Sequence, residues 1–528
     1  MNQDKLSDHL THSKPFGPED ASNIIDLFCK RMLFQTQNRI FKNMSQHPTL
    51  IVGRKGSGKT AFLQNAKQEE PVYRFIHEIN TSAAFSSMIR TILRTCEHET
   101  FPETVAELWS IAFWLTGAWH LRAEAKKELD PEAFTAIKCY LESVTPAYCC
   151  SPADLVENFF PMFTSLLETR SLEGLPERIW TTEQGGYTFN EVKQHVINSF
   201  VARRVRGLLL IDSLDDFQMG GEYAGSAIKG LLKCLGRFSA GNPVYEVRFC
   251  LPAELFPFFR NISSNPAKDF AGKVSLYWHA SELLCLAAHR LSLFYKTHYD
   301  GYYRHNIEHL DGESRKDAAL LFNEIFGTTV QNGLNQTEDT ISYIMRHTQL
   351  LPRHLLLILN SICRVNIERG GSHQKIDSYA VRSGIMRTEE TICHEIFAAY
   401  RYPYPKGQQV CELCIPELPL TFDFGQLQKV FNYRGKKALE SIEFDEFVRM
   451  LFRMGIIGKV NPNAETERYI QGEFEYSTDH SLAFSSSDTL CLHPVFSYVY
   501  SAKIEDRKTQ KPILPVGSDL NSDDLRDF

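Results

Sequence analysis

Gly53-Arg54-Lys55-Gly56-Ser57-Gly58-Lys59-Thr60 is the stretch of this 528-residue chain that decides how the rest is read. It fits G-x-x-x-x-G-K-[ST] at every fixed position. Glycine takes backbone angles that a side chain forbids. The N–H groups of such a loop can therefore converge on one anion. Before the loop, Pro48-Thr49-Leu50-Ile51-Val52 is a short apolar run that predicts a buried strand. After it, Ala61-Phe62-Leu63-Gln64-Asn65-Ala66 starts a helix whose positive end faces the same anion. Strand, glycine loop and helix is the order of a phosphate loop. The expected cofactors are ATP and Mg²⁺. Gly53, Arg54, Lys55, Gly56, Ser57, Gly58, Lys59, Thr60 and Ala61 would surround the phosphates, with Lys59 on the β- and γ-phosphates and the Thr60 hydroxyl on the metal.

Further strands follow at intervals. Val72 to Ile79 alternates in polarity, and Leu208-Leu209-Leu210-Ile211 is wholly apolar. The second run ends in Asp212-Ser213-Leu214-Asp215-Asp216. Placed beside the phosphate-loop strand, it would bring Asp212 to the Mg²⁺. Asp215 or Asp216 would then orient or activate the attacking water. The competing account is an Asp-rich loop that caps the next helix. Val244 to Leu251 and Val274 to Trp278 are further strand candidates. Strands alternating with helices give a parallel sheet covered on both faces. The predicted fold class is α/β: a P-loop NTPase with a parallel sheet, a large helical insertion, a helical lid and a C-terminal winged-helix domain.

At roughly 100–200 residues per domain, three or four domains are expected. Residues 1–40 read as an N-terminal segment and a helix, with Asp20 as N-cap before the periodic Ile24, Leu27 and Phe28. Residues 41–280 hold the core, with the helical insertion at about 81–205. A helical lid covers 281–375 and a winged-helix-like module 385–505. There, the amphipathic stretch Phe444 to Met454 precedes strand candidates at Ile456 to Val460, Phe474 to Tyr476 and Thr489 to Leu492. The tail 511–528 is polar and acidic and is expected to be disordered.

Composition excludes several classes. Hydrophobic residues are 43% and charged residues 23%, as in ordinary globular domains. The net charge of −7 argues against a surface that grips DNA without sequence preference. Thirteen scattered cysteines fit free thiols in a reducing cytoplasm. The N-terminus has no apolar h-region. The run Leu108 to Leu121 is too short to span a bilayer and reads as a buried helix, so no membrane contact is expected. No H-E-x-x-H or G-x-S-x-G motif is present.

The spacing Asp212-x-x-Asp215-Asp216 resembles the D-x-x-D-[DE] Walker B element of STAND ATPases, including the NACHT group. Thr348-Gln349-Leu350-Leu351-Pro352-Arg353-His354-Leu355-Leu356 is similar to the Pro-Arg sensor 2 helix of origin-recognition-like AAA+ ATPases. The resemblance implies that Arg353 reaches the γ-phosphate from a helical lid. Read without it, Arg353 is a surface arginine starting a helix after proline. Phe16-Gly17-Pro18-Glu19-Asp20-Ala21 resembles the element that lies near the adenine in these proteins. The resemblance spans about 15–370, and a trailing winged helix fits it. It implies a bacterial ATPase of the kind found in anti-phage defence loci beside a toxic effector. The chain departs from the pattern at Leu251-Pro252, where a polar residue facing the γ-phosphate belongs. Slow hydrolysis is the expected result. Arg290 is either an arginine finger or a surface residue.

Weaker signals remain. Cys411-x-x-Cys414, with Cys393 and His394 upstream, is either a zinc site or a structural pair. Trp109, Trp114 and Trp119 are either a ligand box or buried aromatics. Arg449, Arg453 and Lys459 are either phosphate contacts or a solvated helix face. The expected function is an ATP-binding, slowly hydrolysing cytoplasmic switch that regulates a protein effector and self-associates. The alternatives are a DNA-binding initiator or transposition-type AAA+ ATPase acting through the winged helix, and a scaffold in which ATP only stabilises the fold.

Overall fold

The computed structural model describes residues 2–21, 24, 26–34, 50–66, 75–79, 102–124, 130–145, 151–162, 174–212, 224–239, 242, 244–256, 273–439, 442–462, 468–477, 482–503 and 510–518. The chain forms two compact units. One comprises Met1–Ser45, Gly53–Phe62 and Ser275–Phe528, and the other Gln46–Val52 and Leu63–Val274. The glycine loop is thus grouped with the C-terminal half of the chain.

The sheet has the strands β1 (Leu50–Gly53), β2 (Phe75–Ile79), β3 (Gly207–Ile211), β4 (Tyr245–Pro252) and β5 (Lys273–Leu276). Their order is β2-β3-β4-β1-β5. Strands β2, β3 and β4 run parallel, with Leu209 opposite both His77 and Val247. All of β3 is buried, as a parallel strand covered on both faces must be. One expectation is corrected here. Strand β4, not β3, lies beside β1, so the strand leading to Asp212 is one place further from the loop strand. Strand β4 runs for 8 residues and is buried along nearly all of them, which suits a central position.

The first helix after the loop is α1 (Lys59–Ala66). In the sheet-bearing unit, α2 (Pro102–Glu124) is followed by helices at Pro131–Val144, Pro152–Met162, Leu175–Thr181 and Phe189–Arg203. Helix α2 is apolar nearly all round, and such a helix must be buried. It packs on α3 (Ala224–Ser239) through Phe113 and Phe238, whose rings meet edge-on at 5.2 Å. Trp114 lies 5.1 Å from the ring of Tyr245 on β4. Trp109 and Trp114 are therefore core, and Trp119 is partly buried beside Arg122. No described helix is long and apolar enough to cross a membrane.

In the other unit, α4 (Ala280–His298) is buried along most of its length. It carries Arg290, which is neither finger nor surface residue. Its side chain is 1% exposed. Its Nε donates to Leu33 O at 3.0 Å, and Nη1 donates to Phe16 O at 2.9 Å and Pro18 O at 2.8 Å. The guanidinium also lies 4.6 Å from the Phe34 ring centre. Arg290 ties the N-terminal segment to α4. That segment corrects the reading of Asp20 as well. The helix there begins at Leu27 with Asp26 as its cap, accepting from Cys29 N.

Next come the hairpin β6 (Thr329–Gln331) and β7 (Thr337–Asp339), which the sequence reading missed. Helices α5 (Pro352–Glu368) and α6 (Ser378–Ala399) pack along their apolar faces, α5 through Leu355, Leu359 and Ile362 and α6 through Val381, Ile385 and Ile392. Strand β8 (Thr421–Asp423), helix α7 (Phe444–Arg453), strands β9 (Ile457–Val460), β10 (Ile470–Glu473) and β11 (Thr489–Leu492), and helix α8 (Pro494–Val499) follow. Phe474-Glu475-Tyr476 is not a strand: β10 ends at Glu473, and Glu475–Ser477 forms a 3₁₀ turn. The tail is also not disordered from its start. Ile513–Pro515 forms β12, which pairs parallel with β10 and buries Ile513 and Leu514. Residues 519–528 lie outside the described set.

The α5–α6 contact hinges on Gly384. A Cβ there would stand 2.5 Å from the backbone Cα of Ile362. Gly→Ala inside an open helix stabilises by about 1 kcal/mol. Here overpacking opposes it at about 1–3 kcal/mol or more. Gly384→Ala is expected to lower the midpoint of denaturant unfolding, and a raised midpoint would contradict the close packing.

Candidate functional site

The glycine loop turns because two of its residues leave the ordinary backbone path. Gly56 has φ +85° and Gly58 φ +94°, both in the left-handed region. A Cβ on Gly53 would meet Ser57 Oγ at 2.5 Å, so the two ends of the loop are pressed together. Ser57 N donates to Arg54 O at 3.0 Å, and Phe62 N donates to Gly58 O at 2.9 Å to open α1.

Lys59 is the first residue of α1 and is only 6% exposed. Its Nζ donates to Gly53 O at 3.0 Å and Arg54 O at 3.2 Å. The ammonium is thus folded over the loop. A buried ammonium, the positive end of a helix and glycines open to backbone approach make a cradle suited to a phosphate. Thr60 follows in the first turn of α1. Asp212 ends β3 in the other unit and is half-buried. Asp215 and Asp216 lie outside the described residues.

Side chains from distant sequence hold the loop within its own unit. Trp278 Nε1 donates to Ser57 O at 2.8 Å. Arg353, at the start of α5, donates its backbone N–H to Gly56 O at 3.4 Å. A Cβ on Gly56 would lie 3.0 Å from Arg353 Cβ. The Arg353 guanidinium is paired with Asp20 at 2.5 Å. Arg353 thus lies against the loop, with Asp20 as its partner rather than as a helix cap. Asn360 of α5 also grips the N-terminal segment: it accepts from Phe16 N at 3.0 Å and donates to Gly17 O at 2.9 Å.

Arg54 makes the least expected contacts. Its Nη2 donates to Gln349 Oε1. Its guanidinium lies 5.3 Å from the centre of the Tyr476 ring. Gln349 in turn donates through Nε2 to Met454 O at 3.1 Å and Gly455 O at 3.3 Å, at the end of α7. Tyr476 OH lies 2.8 Å from His493 Nε2. Burial first, with Arg54 adding to it, holds His354 and His493 well below the ordinary imidazole pKa. These two imidazoles therefore add no positive charge beside Arg54. Its Nε and Nη1 have no partner among the described residues, and both could serve an anion.

Of the basic residues expected to meet nucleic acid, Arg453 donates to Tyr404 OH at 3.0 Å and Lys459 pairs with Asp488 at 3.1 Å. Arg449 is exposed on α7 next to exposed Asp445 and Glu446. Cys411 and Cys414 are buried on one short helix, Gly407–Cys414. Burial pushes the Cys414 thiol up to about 12 and Cys411 well above its usual range. Neutral thiols are poor metal ligands, and no metal-binding cluster occurs among the described residues. Trp278, Gln349 and Tyr476 were missed by sequence reading. Gln349 stands in the quoted Pro-Arg stretch without having been singled out, and each of the three reaches the loop only through the fold.

No family profile and no curated protein matches the sequence. Solved structures give weak likenesses. The ORC2 protein of Aeropyrum pernix, in ADPNP–ADP complexes, has a TM-score of 0.38 and 11% identity over 88% of this chain and 90% of that one. A Walker-type ATPase of Pyrococcus abyssi scores 0.36 with 13% identity over 91% and 97%. The ORC1 protein of A. pernix in complex with DNA scores 0.27 with 13% identity over 82% and 85%. At these values no activity is carried over from them.

Lys59→Ala is expected to abolish ATP binding measured by calorimetry. Undiminished binding by that variant would remove the loop from the site.

Proposed function

We propose that this chain is an ATP-binding molecular switch that hydrolyses slowly and controls a protein effector. The observation that carries the reading is the path from Arg54 of the loop, through Gln349 and Tyr476, to the end of α7. A nucleotide phosphate in the cradle would draw on the unpaired donors of Arg54 and on Lys59. Any shift of Arg54 must then change what Gln349 and Tyr476 contact. Ligand binding alters a two-state equilibrium only through such differential contacts. The Arg353 backbone N–H on Gly56 O adds a second link between the loop and α5, and the Arg353 guanidinium ties α5 to Asp20 of the N-terminal segment.

ATP and Mg²⁺ remain the proposed cofactors, with Thr60 and Asp212 for the metal and Asp215 or Asp216 for the water. Arg353 would meet the γ-phosphate on release from Asp20. The resemblance expects a polar residue where the sequence has Leu251-Pro252, at the end of β4, and this departure favours slow turnover and suits a timer more than a motor. A defence role, self-association and a cytoplasmic location belong to the same proposal. Hydrogen exchange tests it: ATP should change protection in α7 and in residues 470–477. Gln349→Ala should still bind ATP but lose that change. If ATP leaves exchange there untouched in the unmutated chain, the switch reading fails.

The DNA reading through α7 has less behind it. The exposed face of that helix carries Asp445 and Glu446 beside Arg449. Phosphate contacts need basic groups free to meet them. No shift of duplex DNA is expected in a gel at low salt, and a salt-dependent shift would revive the alternative.

A further inference from the structure

Away from the glycine loop, the larger unit encloses a cavity of about 530 Å³ among α6, α8, the hairpin turn at Asn332–Leu334 and the residues around Gln510. Ligand pockets commonly span about 300–1,000 Å³. What sets this one apart is the number of buried polar atoms on its wall that lack partners. Among the described residues these are Arg346 Nε, both nitrogens of His347, Glu389 Oε1 and Gln510 Oε1. Arg346 is 8% exposed, His347 5% and Glu389 2%. His347 Nδ1 lies 2.7 Å from Glu389 Oε1, but off the line of a hydrogen bond. Native proteins leave few buried polar groups unpaired, since each costs about 1–3 kcal/mol.

The charges narrow the class of occupant. Arg346 is offset by Glu338 at 3.0 Å. Burial pushes the Glu389 carboxyl up to about 8 and holds His347 well below its usual range, so both are neutral near pH 7. Arg382 is then the lining cation that no lining carboxylate offsets. The unpaired atoms include donors, Arg346 Nε and the Glu389 hydroxyl, and an acceptor, Gln510 Oε1. A plain carboxylate or phosphate would leave the acceptor unmet. A ring edge that both donates and accepts would satisfy both kinds. Tyr343, Ile385 and Met386 supply an apolar wall.

We propose that this cavity binds a small heteroaromatic anion of mononucleotide size, its ring edge on His347, Glu389 and Gln510 and its anionic group on Arg382. The site is separate from the glycine loop and stands independently of the switch reading. Its occupant would fasten α8 and the segment at Gln510 to α6.

The test titrates AMP, GMP, CMP, UMP and their 3′,5′-cyclic forms into the full chain and into Lys59→Ala, followed by calorimetry. At least one is expected to bind with Kd below about 1 mM in both. Arg382→Glu should weaken it about tenfold or more, the scale of one charged contact. Gly333→Trp should block it: Gly333 lines the cavity, and a Cβ there meets nothing within 4 Å. Melting temperature and ATP titration of both variants check their folding. Hydrogen exchange on the unmutated chain is a second readout, with protection expected at 332–334, 382–389 and 497–502. Absence of binding by every probe, binding that survives both substitutions, or protection confined to 53–60 would overturn the proposal.

Discussion

The carbonyl groups of the glycine loop are the constraint on which the site depends. Those of Gly53 and Arg54 accept from Lys59, that of Gly56 from the backbone of Arg353, and that of Ser57 from Trp278. In a planar trans peptide, the N–H of the next residue points opposite to the carbonyl. Tying down the Ser57 oxygen from Trp278 turns the N–H of Gly58 the other way. The cradle is thus set by what holds the back of the loop as much as by the glycines in front. Two of the anchors, Arg353 and Trp278, come from more than two hundred residues away in the chain.

The same logic explains how a cation can sit as deep as Arg54. A partly buried guanidinium needs acceptors or a π face, and its neighbours must not add charge. Gln349 supplies the acceptor and Tyr476 the face. His354 and His493, kept neutral by burial, add no charge. Gln349 is itself committed to Met454 O and Gly455 O, so its amide orientation is fixed from both ends. Losing one contact of such a network disturbs the rest.

The parts legible in the sequence were those with local grammar. The strand–loop–helix order around Gly53–Thr60 came from glycine spacing and apolar runs, and the buried strand at Leu208–Ile211 from its unbroken hydrophobicity. The neighbour of β1 was misjudged because strand order is a property of crossovers, and no residue within β3 records that β4 lies between. Arg290 reads as an ordinary helix arginine, and nothing nearby in sequence signals that it meets carbonyls near Phe16 and Leu33. Phe474-Glu475-Tyr476 has the alternation of a strand, yet Tyr476 is turned toward Arg54 and the ladder stops at Glu473. The tail misled through its acidic end, which outweighed the apolar pair Ile513-Leu514.

That tail strand has a consequence for how the chain can meet others. The sheet carrying α7 runs in the order β12-β10-β9-β11-β8. Without β12, the open side of β10 would present unpaired backbone groups, a template for a strand from a neighbouring molecule. The chain seals that side with its own segment, which then becomes the border. This border is 3 residues long, begins just after Pro512 and ends in Pro515. Proline has no amide hydrogen to offer a ladder. A copy or partner seeking to extend the sheet there would find it short and chemically blunt, so association by strand addition is turned away from this face.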